Sequence, residues 1–290
     1  MKFAVDAYLH ENLSKKLNEL EEVLQADVIF FSGNISDVYV KIFRDFIEEL
    51  KSDSLKHEKI YIILRTYGGT AIAAEKMVNI IRNHYADVNF IVLDYAMSAG
   101  TIFCMSGDSI FMDYSSCLGP IDPQVQVGEQ FVPALGYLDK VNELIEKSAD
   151  GKLTDAEFVL LQNQDLAKLR SYEQAKDLSI SLLTEWLVQY KFKNWNTHAS
   201  NPTKLGTVVT EEEKEERATQ VASLLSDNKL WKSHGRAIDI KKLRSILKLK
   251  IDDLSESPDL HKKLRSYNDL ICDYADKQTG GTYFHSRKFI

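Results

Sequence analysis

Residues 89–101, with the sequence NFIVLDYAMSAGT, decide the fold. The strand-like run at 89–93 predicts a buried strand, and AMSAGT at 96–101 leads into a helix-like stretch. The hydroxyl of Ser98 is therefore expected at a turn from strand to helix. A serine in that place is presented at the end of a sheet, where the helix N-terminus supplies backbone donors and the positive end of its dipole.

A second turn of the same kind, without the serine, lies about thirty residues upstream. The run IYIIL at 60–64 leads into TYGGT at 66–70 and then into a helical pattern. Glycine lets the backbone approach a bound carbonyl group closely and adopts positive φ angles without strain. A serine turn and a glycine turn on neighbouring βα units are the parts that an acyl-transfer site requires.

The first half of the chain alternates strand-like and helical patterns, which predicts an α/β fold. Buried strands are expected at 28–31, 60–64, 89–93 and 109–112. Repeated βα units of this length imply a mainly parallel sheet covered by helices on both faces. From about Pro133 the pattern is helical, including a long helical pattern over 154–190. We expect a core at residues 1–190 and a mainly helical C-terminal region at 191–290.

Composition and charge narrow the functional class. A formal charge of -7 argues against a protein that tracks nucleic-acid phosphates, and no apolar run reaches the ~18 residues of a membrane span. The absence of a signal-peptide pattern and the three unpatterned cysteines predict a cytoplasmic protein. One basic segment, residues 229–250, carries eight Lys or Arg against the single acid Asp239. It is interpreted as a solvated helical surface, with a docking face for an acidic partner as the alternative.

The motifs together resemble those of a known superfamily. They occur in a fixed order, YGG at 67–69, AMSAGT at 96–101 and LGPIDPQ at 118–124. This set is similar to the Clp-protease and crotonase superfamily, and most similar to the serine dehydrogenase proteinase branch, which is related to signal peptide peptidase A. The resemblance is strongest over 28–124, weaker to 190, and beyond that depends on SHGR at 233–236. It implies a Clp/crotonase-like core of repeated ββα or βα units.

Carried onto this sequence, the resemblance makes Ser98 the nucleophile. The backbone N–H of Ala99 and that of Gly68 or Gly69 would form the oxyanion hole. The alternative for each motif is purely structural, with Ser98 as a helix N-cap and the two glycines as a tight turn.

The base is not where the Clp pattern has it. Clp-type proteases place a histidine about twenty-five residues after the serine, and here that region reads IDP at 121–123. One replacement is a Ser–Lys dyad with Lys140, or with Lys147 two turns further on; such a lysine must be buried to lose its proton. The other is a triad in a changed chain order, with Asp122 orienting His234. Both alternatives stay open at this point.

Three functional hypotheses follow. The first is a cytosolic serine peptidase that acts on peptide or protein substrates, needs no cofactor and, like its relatives, forms a homo-oligomer. The second is a crotonase-like enzyme that uses the same oxyanion hole on acyl-CoA thioesters. The third is an inactive scaffold that binds a partner through residues 229–250. None of the three requires nucleic acid or a membrane span.

Overall fold

The computed structural model, which describes residues 4–52, 57–127, 130–198, 203–278 and 281–288, is built around a parallel sheet. Its strands are β1 (Asp27–Ser32), β2 (Lys59–Arg65), β3 (Asp87–Val92), β4 (Tyr95–Ala96), β5 (Ser109–Met112), β6 (Cys117–Leu118), β7 (Gln124–Val127), β8 (Gln130–Pro133), β9 (Asp252–Asp253) and β10 (Tyr283–His285). The central sheet has the order β10-β1-β2-β3-β5-β9, and only β10 runs antiparallel to its neighbour. Two small sheets, β4 with β6 and β7 with β8, lie outside it.

Helices cover both faces of this sheet. The helices of the described residues are α1 (Ala4–Leu24), α2 (Asp37–Lys51), α3 (Ala71–His84), α4 (Ala99–Met105), α5 (Ala134–Ala149), α6 (Asp155–Gln162), α7 (Leu166–Trp186), α8 (Glu211–Ser226), α9 (Asn228–Trp231), α10 (Ile240–Ser245) and α11 (Pro258–Lys277). A π-helical turn, Leu187–Lys191, continues α7, and a 3-10 turn, Leu254–Glu256, precedes α11.

The side-chain alternation of the strands produces two cores. In β1, Ile29 and Phe31 point into the core beneath α2, α3, α4, α7 and α8, whereas Val28 and Phe30 point into the core beneath α1 and α11. All six residues of β1 are buried, as expected for a parallel strand covered on both faces. The predicted α/β fold with a mainly parallel sheet is confirmed.

The helical pattern predicted over 154–190 is interrupted once before residue 186. The structure has two helices, α6 and α7, with a break at residues 163–165. Asp165 causes the restart, because its carboxylate accepts the N–H groups of Ala167 and Lys168 and so caps α7.

The last hundred residues are mainly helical, but they also complete the central sheet. β10 pairs with β1 at one edge, β9 pairs with β5 at the other, and α11 packs against α1. The predicted boundary at residue 190 between the core and the C-terminal region stays a prediction. Strands from both sides of this boundary form the central sheet.

Candidate active site

Four distant segments meet in a short backbone ladder beyond the C-terminal ends of β2 and β3. Thr66 pairs with Ala96, and Ala96 pairs with Leu118, both in parallel orientation. Leu118 pairs with Ile238 in antiparallel orientation, with N–H to O distances of 3.0 and 2.9 Å. The ladder therefore holds the glycine turn, the serine turn, the IDP segment and the SHGR segment side by side.

Ser98 occupies a strained turn between β4 and α4. Its φ and ψ angles are 53 and -118°, a region that residues with a Cβ rarely adopt. Backbone strain of this kind costs of order 1–3 kcal/mol and is concentrated at functional sites. Ser98 is half-buried, and its hydroxyl forms no hydrogen bond with any described residue. This is the geometry that presents a serine oxygen to a substrate.

Both glycines of the preceding turn adopt positive φ angles, and neither has room for a Cβ. Gly68 and Gly69 have φ angles of 115 and 147°. A Cβ on Gly68 would lie 2.8 Å from the Cβ of Ser98, and one on Gly69 would overlap the carbonyl oxygen of Ile35. The glycine turn thus lies in direct contact with the serine turn.

The hydrogen bonds of the turn distinguish between the two glycine N–H groups. The N–H of Gly68 donates to Thr66 Oγ1 at 2.9 Å, and its carbonyl accepts the N–H of Ile35 at 2.8 Å. The N–H groups of Gly69 and Ala99 have no hydrogen-bond partner among the residues that the structure describes. Ala99 begins α4, so its N–H has no acceptor within the helix. In the described part of the chain, the glycine turn and the serine turn thus each present an unpaired backbone N–H, that of Gly69 and that of Ala99.

Asp122 and His234, which the sequence offers as a possible pair, are in contact. His234 Nδ1 lies 2.9 Å from Asp122 Oδ1. Their positions follow from the ladder, because each is four residues from its paired residue, Leu118 or Ile238, in an antiparallel register. The carboxylate of Asp122 is fully buried and also accepts the side-chain amide of Gln124 at 3.0 Å. With Nδ1 on the carboxylate, Nε2 is the nitrogen left to take a proton.

The two lysines offered as alternative bases lie in a different environment. Lys140 is on an exposed side of α5, with 56% of its side chain accessible, and its Nζ is 2.9 Å from Glu143. The burial that its apolar neighbours in sequence would permit does not occur. Hydrogen bonds to Glu157, and to a lesser extent to Glu143, raise the pKa of Lys147. Neither lysine has the desolvated setting that a neutral amine base needs.

Two threonines that the sequence interpretation missed fix the turns in place. Thr101 is fully buried, and its Oγ1 lies 2.8 Å from the carbonyl oxygens of both Ala96 and Gly119 and accepts the N–H of Gly119 at 3.0 Å. It thereby joins the serine turn to the segment that leads to Asp122. Thr66 supports the glycine turn through its hydroxyl. The sequence around a buried threonine does not show whether its hydroxyl joins two turns or the residue only packs in the core.

The described ranges contain no group of three or more His, Cys, Asp or Glu side chains arranged to hold a metal ion. Within the same ranges, no helix has both the length and the apolar character needed to cross a bilayer.

Two curated relatives match part of the chain. Both are uncharacterised proteins of Methanocaldococcus jannaschii. One is 33% identical over 138 residues, which cover 48% of this chain and 44% of the relative. The other is 35% identical over 94 residues, covering 32% and 31%. The chain thus matches less than half the length of either relative.

One solved structure and one family model are also similar to this chain. A serine-to-alanine mutant of the membrane-bound stomatin-specific protease 1510-N is similar over 81% of this chain and 82% of its own, with 14% identity and a TM-score of 0.47. The family described as ClpP-like SDH-type serine proteinase matches residues 35–203, more than half of the 290 residues. The matched region contains Ser98, the glycine turn and Asp122, and it ends before His234. The chain therefore belongs to the ClpP-like SDH-type serine proteinase family.

Proposed function

We propose that the chain is a serine peptidase with Ser98 as nucleophile, His234 as general base and Asp122 as the residue that orients the imidazole. The N–H groups of Gly69 and Ala99 form the oxyanion hole. The observation that carries the proposal is the 2.9 Å hydrogen bond between Asp122 and His234, on segments that the ladder joins to the serine turn. Membership in a serine proteinase family supports the same reaction class.

In the first half of the reaction, Ser98 Oγ attacks the carbonyl carbon of a peptide bond and its proton passes to His234 Nε2. The buried carboxylate of Asp122 stabilises the resulting imidazolium and keeps the ring in the required tautomer. The carbonyl oxygen becomes an oxyanion and accepts the N–H groups of Gly69 and Ala99. A preorganised donor of this type lowers the barrier by about 3–4 kcal/mol.

In the second half, the tetrahedral intermediate collapses and the C–N bond breaks. The leaving amine takes the proton from His234, and the acyl group stays on Ser98 as an ester. His234 then removes a proton from water, which attacks the ester and releases the carboxylic acid. The serine regains its proton from the imidazolium, so the cycle closes with no cofactor.

The other hypotheses become outcomes of the test. Lys140 is not proposed as the base, because its side chain is exposed and forms an ion pair with Glu143. Assembly into a homo-oligomer and a cytoplasmic location stay predictions from the sequence.

The test is labelling by a fluorophosphonate, which reacts with an activated serine. We expect the unsubstituted protein and the Lys140→Ala control to be labelled at equal rates. Ser98→Ala should abolish the label, and His234→Ala should slow it about 10³-fold or more. Loss of labelling in Lys140→Ala would support the dyad instead. Turnover of a CoA thioester that survives Ser98→Ala would support the crotonase reaction, and no labelling of any variant would support the scaffold.

A further inference from the structure

The basic segment, residues 229–250, passes directly through the candidate site. It begins in α9, turns at residues 233–236, pairs with Leu118 through Ile238 and ends beyond α10. The chain as a whole carries a formal charge of -7, so this segment is a local excess of positive charge on an acidic protein.

Half of its cations form ion pairs with nearby carboxylates. Lys229 contacts Asp139, Lys242 contacts Asp239, Arg244 contacts Asp253 and Glu256, and Lys250 contacts Asp252. The other half are exposed and have no ion pair with an acidic residue in the described part of the chain. These are Lys232, Arg236, Lys241 and Lys248.

Two of the unpaired cations flank the candidate base. Lys232 precedes His234 by two residues, and Arg236 follows it by two. Two chain steps place each of their Cα atoms within about 7 Å of that of His234. Both side chains are exposed, so their charges are accessible on the turn that carries His234.

The turn that carries these cations is held on both sides. The N–H of Arg236 donates to the carbonyl of Ser233 at 3.1 Å, which closes the turn around His234. On one side Trp231 is buried and its indole N–H donates to the carbonyl of Leu224 at 2.7 Å. On the other side Ile238 is locked into the ladder. The two charges therefore project from a fixed backbone at the site.

We propose that the site selects peptides that carry a glutamate or aspartate side chain within a few residues of the bond to be cleaved, recognised by Lys232 and Arg236. The proposal rests on the proposed function for the position of the reacting centre. An ammonium and a guanidinium group both make charge-assisted hydrogen bonds to a carboxylate. Elsewhere the net negative charge of the chain disfavours such peptides, so the two cations supply specificity as well as attraction.

The experiment measures binding without cleavage. In a Ser98→Ala background, fluorescence anisotropy compares two labelled peptides that differ only by Glu or Gln near the centre. We expect the Glu peptide to bind about 3- to 10-fold more tightly at low salt, the range for two exposed ion pairs, and the difference to shrink at 0.5 M salt. The pair Lys232→Gln with Arg236→Gln should remove the preference. The control pair Lys241→Gln with Lys248→Gln makes the same change in net charge on the same segment and should retain it.

Three results would overturn the proposal. The first is equal binding of the two peptides, and the second is an equal loss of preference in the control pair. The third is unchanged binding of the Glu peptide to protein whose Ser98 carries a bulky phosphonate, since that would put the peptide elsewhere on the surface. Because the Ser98→Ala measurement involves no chemistry, a failure to hydrolyse peptides would count against the proposed function alone.

Discussion

Gly100→Ala is expected to damage the stability and the reactivity of the site together. Gly100 is the second residue of α4, and a Cβ built there would overlap the Cγ2 of Thr66 and lie 3.4 Å from the Cβ of Ala96. Thr66 is fully buried and its Oγ1 accepts the N–H of Gly68 at 2.9 Å. The methyl group cannot rotate away without moving that hydroxyl, so the glycine turn must shift.

The size of the effect follows from these contacts. Overpacking a buried site costs about 1–3 kcal/mol. Loss of the hydrogen bond from the Gly68 N–H adds about 1 kcal/mol. We expect the free energy of unfolding to fall by about 2–4 kcal/mol. Gly68 lies against Ser98, so a shift of the glycine turn also displaces the serine. Because misplacement of reacting groups by an ångström slows a reaction strongly, the rate of fluorophosphonate labelling should fall about tenfold or more.

A second substitution tests the cause. Thr66→Ser removes the obstructing methyl and retains the hydroxyl, and alone it should cost about 1 kcal/mol for one buried methyl group. In the double variant the clash is absent, so stability and labelling should return most of the way. The measurements are urea denaturation followed by tryptophan fluorescence, and labelling kinetics. Gly136→Ala is the matched control, because its Cβ meets nothing within 4 Å on α5; it should stabilise by about 0.5–1 kcal/mol. Strictly additive effects of the two substitutions at Gly100 and Thr66 would refute the reasoning.

Three further predictions address other parts of the molecule. Thr101→Val removes the hydroxyl that contacts buried backbone groups of Ala96 and Gly119, so it should lower the free energy of unfolding by about 1–3 kcal/mol and slow fluorophosphonate labelling. Thr101→Ser keeps the hydroxyl and should retain both stability and labelling rate. Equal behaviour of the two variants would contradict this role of Thr101. Burial lowers the pKa of Lys191 from 10.5 to about 8, so the unfolded chain binds more protons between these values and stability should rise with pH from about 8 to 10.5. Lys191→Met should therefore stabilise by about 1–3 kcal/mol at pH 7 and lose this advantage by pH 10, measured by denaturant midpoints at both pH values. If the expected homo-oligomer uses α6, which has no buried residue and exposes 55% of Phe158, Phe158→Lys should reduce the mass measured by light scattering, and an unchanged mass would exclude that face.

The core of the fold could be predicted because its signals are local. The strands β1, β2, β3 and β5 each contain an apolar run of three to five residues, and the glycine turn and the serine turn carry small residues at the place where the backbone needs them. The edge strands β9 and β10 were not predicted, since two or three residues have no periodicity, and β9 consists of the acidic pair Asp252–Asp253. The break between α6 and α7 was missed because a capping aspartate inside a long helical pattern resembles any other polar position.

The candidate base shows where sequence reasoning reaches its limit. Asp122 and His234 are 112 residues apart and meet only through the pairing of Leu118 with Ile238, which no local pattern encodes. Sequence spacing left Lys140 and His234 as equal alternatives. In the structure their environments differ, because Lys140 is exposed and paired with Glu143, whereas His234 contacts the buried Asp122.

The late position of His234 has a consequence for biosynthesis. The polypeptide leaves the ribosome from its N-terminus, so the serine turn and the glycine turn are synthesised well before His234. Under the proposed function, the alcohol of Ser98 has no aligned proton acceptor until Ile238 has paired with Leu118. The order of these segments along the chain therefore makes hydrolysis depend on a late step of folding.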